Sequence, residues 1–481
     1  MSEPQVASTV ESTAQNPRRW LALSFLALAQ FLVVLDASIV NIALPVIGSD
    51  LHMNAATLAW VITAYVLPFG GLLLFGGRLA DRFGHRRLFL TGTVGFVIAS
   101  TLAGLSVSSG MLILARVLQG ASAALLAPAA LALLTHLFPH PSERARALGI
   151  WGAVAGIGSA AGVLLGGVLT ASLGWSSVFF VNVPTGIVVI VAVIALLSPD
   201  KAAQTDRLDL PGAAAITSAL ITAVGALTAW EQVGPGHPLT LALSGGTAVL
   251  SIGFVIVERR AAQPLIPLTV FRNRSLTVGN IVMLLLGAAM IALFFALSVY
   301  MQSVLGYSAL TTGLSQLPLA LALIAIAGVV PAALARFGVK STLITFLLAL
   351  AAGLTWLAFA PADAVFLTQI LGPTLLIGVG IGGTFVTTTQ LAVEDVPASE
   401  AGLAGGLVNT TQQIGGALGL AVLSTVAATR TSALANTGVA QPEALTSGFS
   451  WLLIGAAMFA LAGVAAAGFV HSAPKRAPQS G

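Results

Sequence analysis

The stretch LALSFLALAQFLVVLDASIVNIALP, residues 21–45, decides the fold. Its first fifteen residues carry no charge, and Asp36 then stands alone in an apolar segment that begins at Trp20. About 20 residues of apolar helix cross a hydrocarbon core roughly 30 Å thick, so this segment is long enough to span a bilayer. It is too long for a signal-peptide core, and no small-residue cleavage site bounds it. A carboxylate deep in a bilayer costs roughly 2.5–3.5 kcal/mol, which makes such a residue rare unless it is paired or titrates. Only one other charge sits clearly inside an apolar segment, Arg116.

Composition extends that reading to the whole chain. Of 481 residues, 57% are hydrophobic and 7% charged, where a soluble domain carries about 25% charged residues. With a mean hydropathy of +0.99, there is too little polar surface to clothe a water-soluble fold. An all-α polytopic membrane protein follows, because lipid leaves no partner for free backbone groups and the segments are too long for barrel strands. A pI near 10 reflects basic loops on one side of the membrane rather than a nucleic-acid partner. The absence of cysteine excludes disulfides, thiolate metal sites and cysteine nucleophiles. No phosphate-binding loop, metal-spaced histidines or nucleophile elbow occurs, so neither an enzyme, a cofactor nor a metal is expected. GVGIGG (378–383) mimics a dinucleotide loop but lies in mid-span with no strand before it.

Counting apolar stretches gives fourteen spans, near 20–41, 55–76, 88–107, 110–135, 146–171, 177–198, 209–230, 239–257, 275–300, 311–333, 341–360, 365–390, 403–427 and 449–470. Eighteen of the twenty Lys and Arg residues fall on one side, among them Arg18, Arg78, Arg144, Lys201, Arg207, Arg259, Arg336, Lys475 and Arg476. Both termini are therefore expected in the cytoplasm. The loop after span twelve is instead acidic (Glu394, Asp395, Glu400). An internal repeat is also present. LADRFGHRRL (79–88) is echoed by LARFGVKSTL (334–343), and SERARALGIWGAVAGIGSAAG (142–162) by SEAGLAGGLVNTTQQIGGALG (399–419), at offsets of 254 and 257 residues. Two parallel six-span halves are a transporter architecture. The expected organisation is a tail (1–17), an N-terminal bundle (18–200), two inserted helices (201–262), a C-terminal bundle (263–472) and a tail (473–481).

The loop GGRLADRFGHRR (76–87) is too ordered for a plain basic loop. It resembles the signature between spans two and three of the major facilitator superfamily. The resemblance implies that fold and a cytoplasmic gate built from Gly77, Asp81, Arg82, Gly84 and Arg86, in which Asp81 bonds across to the second half. His85 stands where the family usually has arginine. In LARVLQGASAALLAP (114–128), Arg116 is followed one turn later by Gln119 and Gly120. Depth weighs against an arginine that merely snorkels. At 1.5 Å per residue, Asp36 sits roughly 24 Å above the start of span one and Arg116 roughly 18–21 Å above the same face, within reach of each other. The resembling family assigns this R-x-x-Q-G motif to proton transfer.

Span five carries Gly158, Gly162 and Gly166 at spacings of four, with Gly167 beside the last. That spacing makes a groove for a neighbouring backbone, although ordinary small-residue packing explains it equally. The resembling antiporters have G-P-x-x-G-G here, and Val163 replaces the proline. WSSVFFVNVPTG (175–186) and LDASIVNIALP (35–45) resemble segments of the fourteen-span drug:proton antiporter branch. Candidate cavity-lining residues are Gln119, Phe294, Asn409, Gln412 and Gln413; Phe295, Tyr300 and Thr387–Gln390 are further polar or aromatic candidates.

These residues point to a secondary active exporter that moves a small hydrophobic molecule outward in exchange for protons, by alternating access. Asp36 is the expected proton site and Arg116 its partner. A cationic drug, a metabolite, a siderophore or a self-made antibiotic fits equally as cargo. An uptake symporter and a non-transporting receptor are the alternatives. The expected setting is the inner (plasma) membrane, multi-pass, as a monomer in contact with lipid, cargo and protons.

Overall fold

The computed structural model describes residues 18–198, 209–261, 264–266, 268–394, 396 and 401–470. Both tails lie outside the described residues, as do Lys201, Arg207, Asp395, Glu400, Lys475 and Arg476. Every regular element among the described residues is helical.

Among the described residues, thirteen helices are long and apolar enough to cross a membrane, and one of them is two. The 50-residue helix Ala309–Ala358 is interrupted at Gly338, whose φ of 77° leaves the helical region. A side chain in that left-handed conformation costs roughly 1–2 kcal/mol, so glycine sits at the break. The fourteen helices are α1 (Arg19–Asp50), α2 (Ala55–Phe83), α3 (His85–Gly104), α4 (Ser109–Leu137) and α5 (Pro141–Leu173). Next come α6 (Ser177–Leu196, with a turn at Val181), α7 (Leu210–Val233), α8 (Pro238–Arg260) and α9 (Arg274–Val299). The remainder are α10 (309–337), α11 (339–358), α12 (Leu371–Glu394), α13 (Ala401–Ala435) and α14 (Gln441–Ala467). Span three starts three residues earlier than the hydropathy reading. Gly84, with φ 95°, turns the chain tightly enough for α3 to begin at His85.

Several helices begin on a residue whose side chain accepts from an otherwise unpaired backbone N–H. Asn54, Ser108, Asp209, Asn273 and Ser308 cap α2, α4, α7, α9 and α10 in this way. Helix packing then rests on glycine. A Cβ at Gly162 would stand 2.6 Å from Ser38 Cβ, and one at Gly166 would stand 2.8 Å from Ile39 O, so α5 lies directly on the backbone of α1. Gly167 faces the other way, 2.8 Å from Ala309 O of α10. In the second half, Gly415 and Gly419 of α13 press on Leu284 and Ala288 of α9. These glycines follow Gly158 and Gly162 at the repeat offset, and Gly338 follows Gly84 at the other. The repeat is thus written in backbone geometry as well as in letters.

The two halves meet along two seams, α2 with α13 and α5 with α10. The inserted α7 lies over the first seam, with Trp60 Nε1 of α2 donating to Thr228 Oγ1 at 2.9 Å. Behind it, α8 presents Val249, Ile252 and Leu241 outward, as a lipid-facing helix does. The GVGIGG run is packing surface: Gly378 and Gly382 of α12 lie 2.5 Å, measured from an added Cβ, from Leu319 O and Leu323 O of α10.

Candidate functional site

Asp36 lies midway along α1 and is fully buried. Its carboxylate holds three donors. Arg116 Nη1 donates to Oδ2 at 2.5 Å, while Gln119 Nε2 and Asn182 Nδ2 donate to Oδ1 at 2.7 and 2.8 Å. The guanidinium is spread over several further partners: Nη1 also reaches Gln119 Oε1 at 2.7 Å, and Nε donates to Val61 O at 3.0 Å. Its flat face lies 4.3 Å from the Tyr65 ring centroid, close enough for a cation–π attraction. Ser100 completes the cluster by accepting from Gln119 Nε2 at 2.8 Å. An ion pair taken out of lipid and water contact needs such saturating hydrogen bonds to survive.

Local sequence explains why these groups converge. Arg116 and Gln119 are one turn apart on α4 and so share a face. Gly120, next to them, leaves room for the Tyr65 carbonyl of α2, which brings Val61 and Tyr65 against Arg116. Asn182 enters from α6 just after the turn at Val181.

A cavity of about 420 Å³ opens beside this cluster, between the two halves. Helices α1, α2, α4 and α5 face α9, α10, α12 and α13 across it. Tyr65 and Arg116 form part of the wall, so the ion pair and the cavity share a boundary. Phe294, Asn409, Gln412 and Gln413 line it. Gln119 does not: it is fully buried, and its amide is taken up by Asp36, Arg116 and Ser100. Of the other sequence candidates, Thr389 lines the cavity while Thr387 and Thr388 are buried away. Phe295 is buried too, and Tyr300 is engaged elsewhere, stacked at 4.4 Å on Phe449 with its hydroxyl donating to Pro361 O.

The halves are closed against each other at the end of the molecule away from the basic loops. There Gln302 Nε2 donates to Ile42 O at 2.9 Å, and Ile42, Val163 and Ala309 form a small apolar plug. Near the basic end, Gly149 and Gly152 of α5 and Gly328 of α10 have open space beside them. The basic end also holds the loop 76–87. Asp81 accepts no hydrogen bond from across the halves among the described residues; its Oδ1 lies 3.1 Å from His85 Nε2, and its side chain is 56% exposed. His85 in turn meets His136 edge-on at 4.9 Å. Arg86 donates to Ile194 O at 3.2 Å, and Arg82 lies over Phe83. The close helix approach in this motif is made by Gly76, against Ala124, whereas Gly77 has only Pro128 at 3.8 Å.

The sequence reading missed Asn182, Ser100 and Tyr65. Asn182 lies in the quoted segment WSSVFFVNVPTG, a signal that points to the residue and not to its partner.

Among the described residues, fourteen helices in two repeated halves surround a central cavity, the architecture of a membrane transporter. The family model of the Major Facilitator Superfamily matches residues 26–420, and the chain belongs to that superfamily. It is 41% identical over 454 residues to the puromycin resistance protein pur8 of Streptomyces alboniger, covering 93% of this chain and 90% of that one. It is 42% identical over 467 residues to the cephamycin export protein CmcT of Amycolatopsis lactamdurans, covering 96% and 94%. Among solved structures, the nucleoside transporter NupG superposes with a TM-score of 0.63 at 13% identity, over 93% of this chain and 99% of that one.

Proposed function

We propose that this protein is a drug or antibiotic exporter that expels a small hydrophobic molecule from the cell in exchange for inward-moving protons. The observation that carries the reading is the buried Asp36–Arg116 pair sharing a wall with the central cavity. Export and resistance are what the relatives are named for, and this chain spans nearly their whole length. Protonation of Asp36 removes the charge that Arg116 answers, and the freed guanidinium then changes the cavity wall. That couples one proton to the balance between the two facing states. The rocking units are 18–200 and 263–472, with 201–262 carried between them. With the basic loops in the cytoplasm, the plug at Ile42, Val163 and Ala309 shuts the outer side, while among the described residues the exposed Asp81 makes no bond across the halves at the inner side. This is an inward-facing state of a monomer in the inner membrane, both termini cytoplasmic.

One proton falling through 100 mV supplies about 2.3 kcal/mol, which sustains a roughly 50-fold gradient. The test is Asp36→Asn in proteoliposomes and in cells challenged with a panel of toxic compounds. The variant is expected to reach the membrane at normal abundance while losing gradient-driven export. Wild-type efflux from it would end the proposal. Acidification or alkalinisation of the vesicle lumen on adding cargo separates exchange from uptake.

A further inference from the structure

The cavity wall narrows the cargo, an inference that rests on the export reading above and deepens it. Five carboxamides face the space: Gln30, Asn41, Asn409, Gln412 and Gln413. Two of their oxygens, Gln30 Oε1 and Asn41 Oδ1, have no hydrogen-bond partner in the protein, while the Asn41 amide nitrogen is already spent on Ala37 O at 2.8 Å. Neither oxygen is accessible from the cavity, so the polar contacts open to a cargo are the carboxamides that remain exposed to it, Asn409 foremost. The apolar part of the wall mixes the rings of Phe69, Phe294 and Phe385 with aliphatic side chains such as Ile62, Met290 and Leu323.

Charge is distributed in one sense only. Among the lining side chains Arg116 is the sole formal charge. Asp36 is not among them: it is fully buried, with both oxygens held by Arg116, Gln119 and Asn182. A cationic ligand entering this cavity would lose its hydration, find no carboxylate, and meet a guanidinium. Desolvating a charge without a counter-charge is far costlier than desolvating an amide or hydroxyl that finds a partner. The volume of about 420 Å³ suits one drug-sized molecule.

We infer that the cargo is an uncharged molecule whose polar groups meet the exposed carboxamides, and that permanent cations are excluded by the cavity itself. Asn409, exposed to the cavity, is the position where one isosteric change weakens this selection, because Asn409→Asp supplies the missing carboxylate.

The experiment uses two probes with one ring system, 2-(hydroxymethyl)anthraquinone and its trimethylammoniomethyl counterpart; the second adds a permanent charge and bulk and lacks the hydroxyl, so the carboxylate variants below isolate the charge. Binding of each to the purified full-length protein in detergent is measured by equilibrium dialysis, with no proton gradient. The alcohol is expected to bind at least about tenfold more tightly than the cation. In Asn409→Asp, and independently in Gln413→Glu, that ratio is expected to fall by about tenfold or more. The second variant covers a folding failure of the first. Equal or tighter binding of the cation to the wild type overturns the inference, as does failure of the alcohol to bind. Discrimination in detergent without gradient-driven movement of the alcohol in proteoliposomes sinks export and leaves the selectivity standing. Export of the alcohol together with equal binding of the cation does the reverse.

Discussion

Asp36 is held by more than its counter-ion. Of its three donors, Asn182 is the one that comes from α6 and touches neither the cavity wall nor Arg116. A hydrogen bond to a charged group contributes about 1.5–3 kcal/mol. Asn182→Leu keeps the volume and deletes the donor, so transport is expected to fall several-fold and thermal unfolding in detergent to begin at lower temperature. Both quantities unchanged would remove Asn182 from the cluster. The charged members were legible in the sequence because a lone charge in an apolar helix is costly and therefore conspicuous. The neutral members were not. Asn, Ser and Tyr occur throughout such helices at little cost, and nothing in a linear reading pairs residues 146 positions apart. The same blindness put Gln119 in the cavity: its polarity was visible, but the three partners that absorb it were not.

Glycines on α5 set how near α1 can come, and thus where Asp36 stands. At position 162 an added methyl group would be 2.6 Å from Ser38 Cβ and 2.9 Å from Leu35 O, the residue before Asp36. Overpacking of that kind costs roughly 1–3 kcal/mol and moves the backbone. Gly162→Ala is therefore expected to impair export in membranes that contain normal amounts of protein. Gly152→Ala, on the same helix with nothing within 4 Å, is the matched control and is expected to export normally. Equal behaviour of the two in a transport assay would show that the contact with α1 is unimportant. At this scale the sequence was most informative. Helix number, order and the repeat all followed from hydropathy and spacing, because apolar length and glycine positions are local properties. The gap between spans ten and eleven came from hydropathy as well, and the structure places its break at Gly338, the counterpart of Gly84 in the repeat. Gly77 was a poorer guide, since only the packed structure shows that its neighbour Gly76 bears the contact with α4.

The whole molecule is sealed at one end by a few apolar side chains and one hydrogen bond, and that seal can be tested directly. The chain has no cysteine, so a Val163→Cys, Ala309→Cys double variant reports without background. Joining the two thiols with a short bifunctional reagent is expected to stop export, and cleaving the linker to restore it. Continued export by the joined protein would mean that the outer ends of α5 and α10 need not part. The position of this plug was not legible in the residues, because it depends on which facing state the two halves adopt. The inserted pair raises a separate constraint. A helix laid across a moving joint must let go on one side, and the side chains indicate which. Against α2, α7 is fastened by the Trp60–Thr228 bond. Against α13 it meets Ala421, Ser424 and Thr425 around a narrow crevice, and both hydroxyls there donate within their own helix, to Ala421 O. In the proposed exchange α7 would travel with the first six helices as passenger, and α13 would slide beneath it on a greased bearing of small residues.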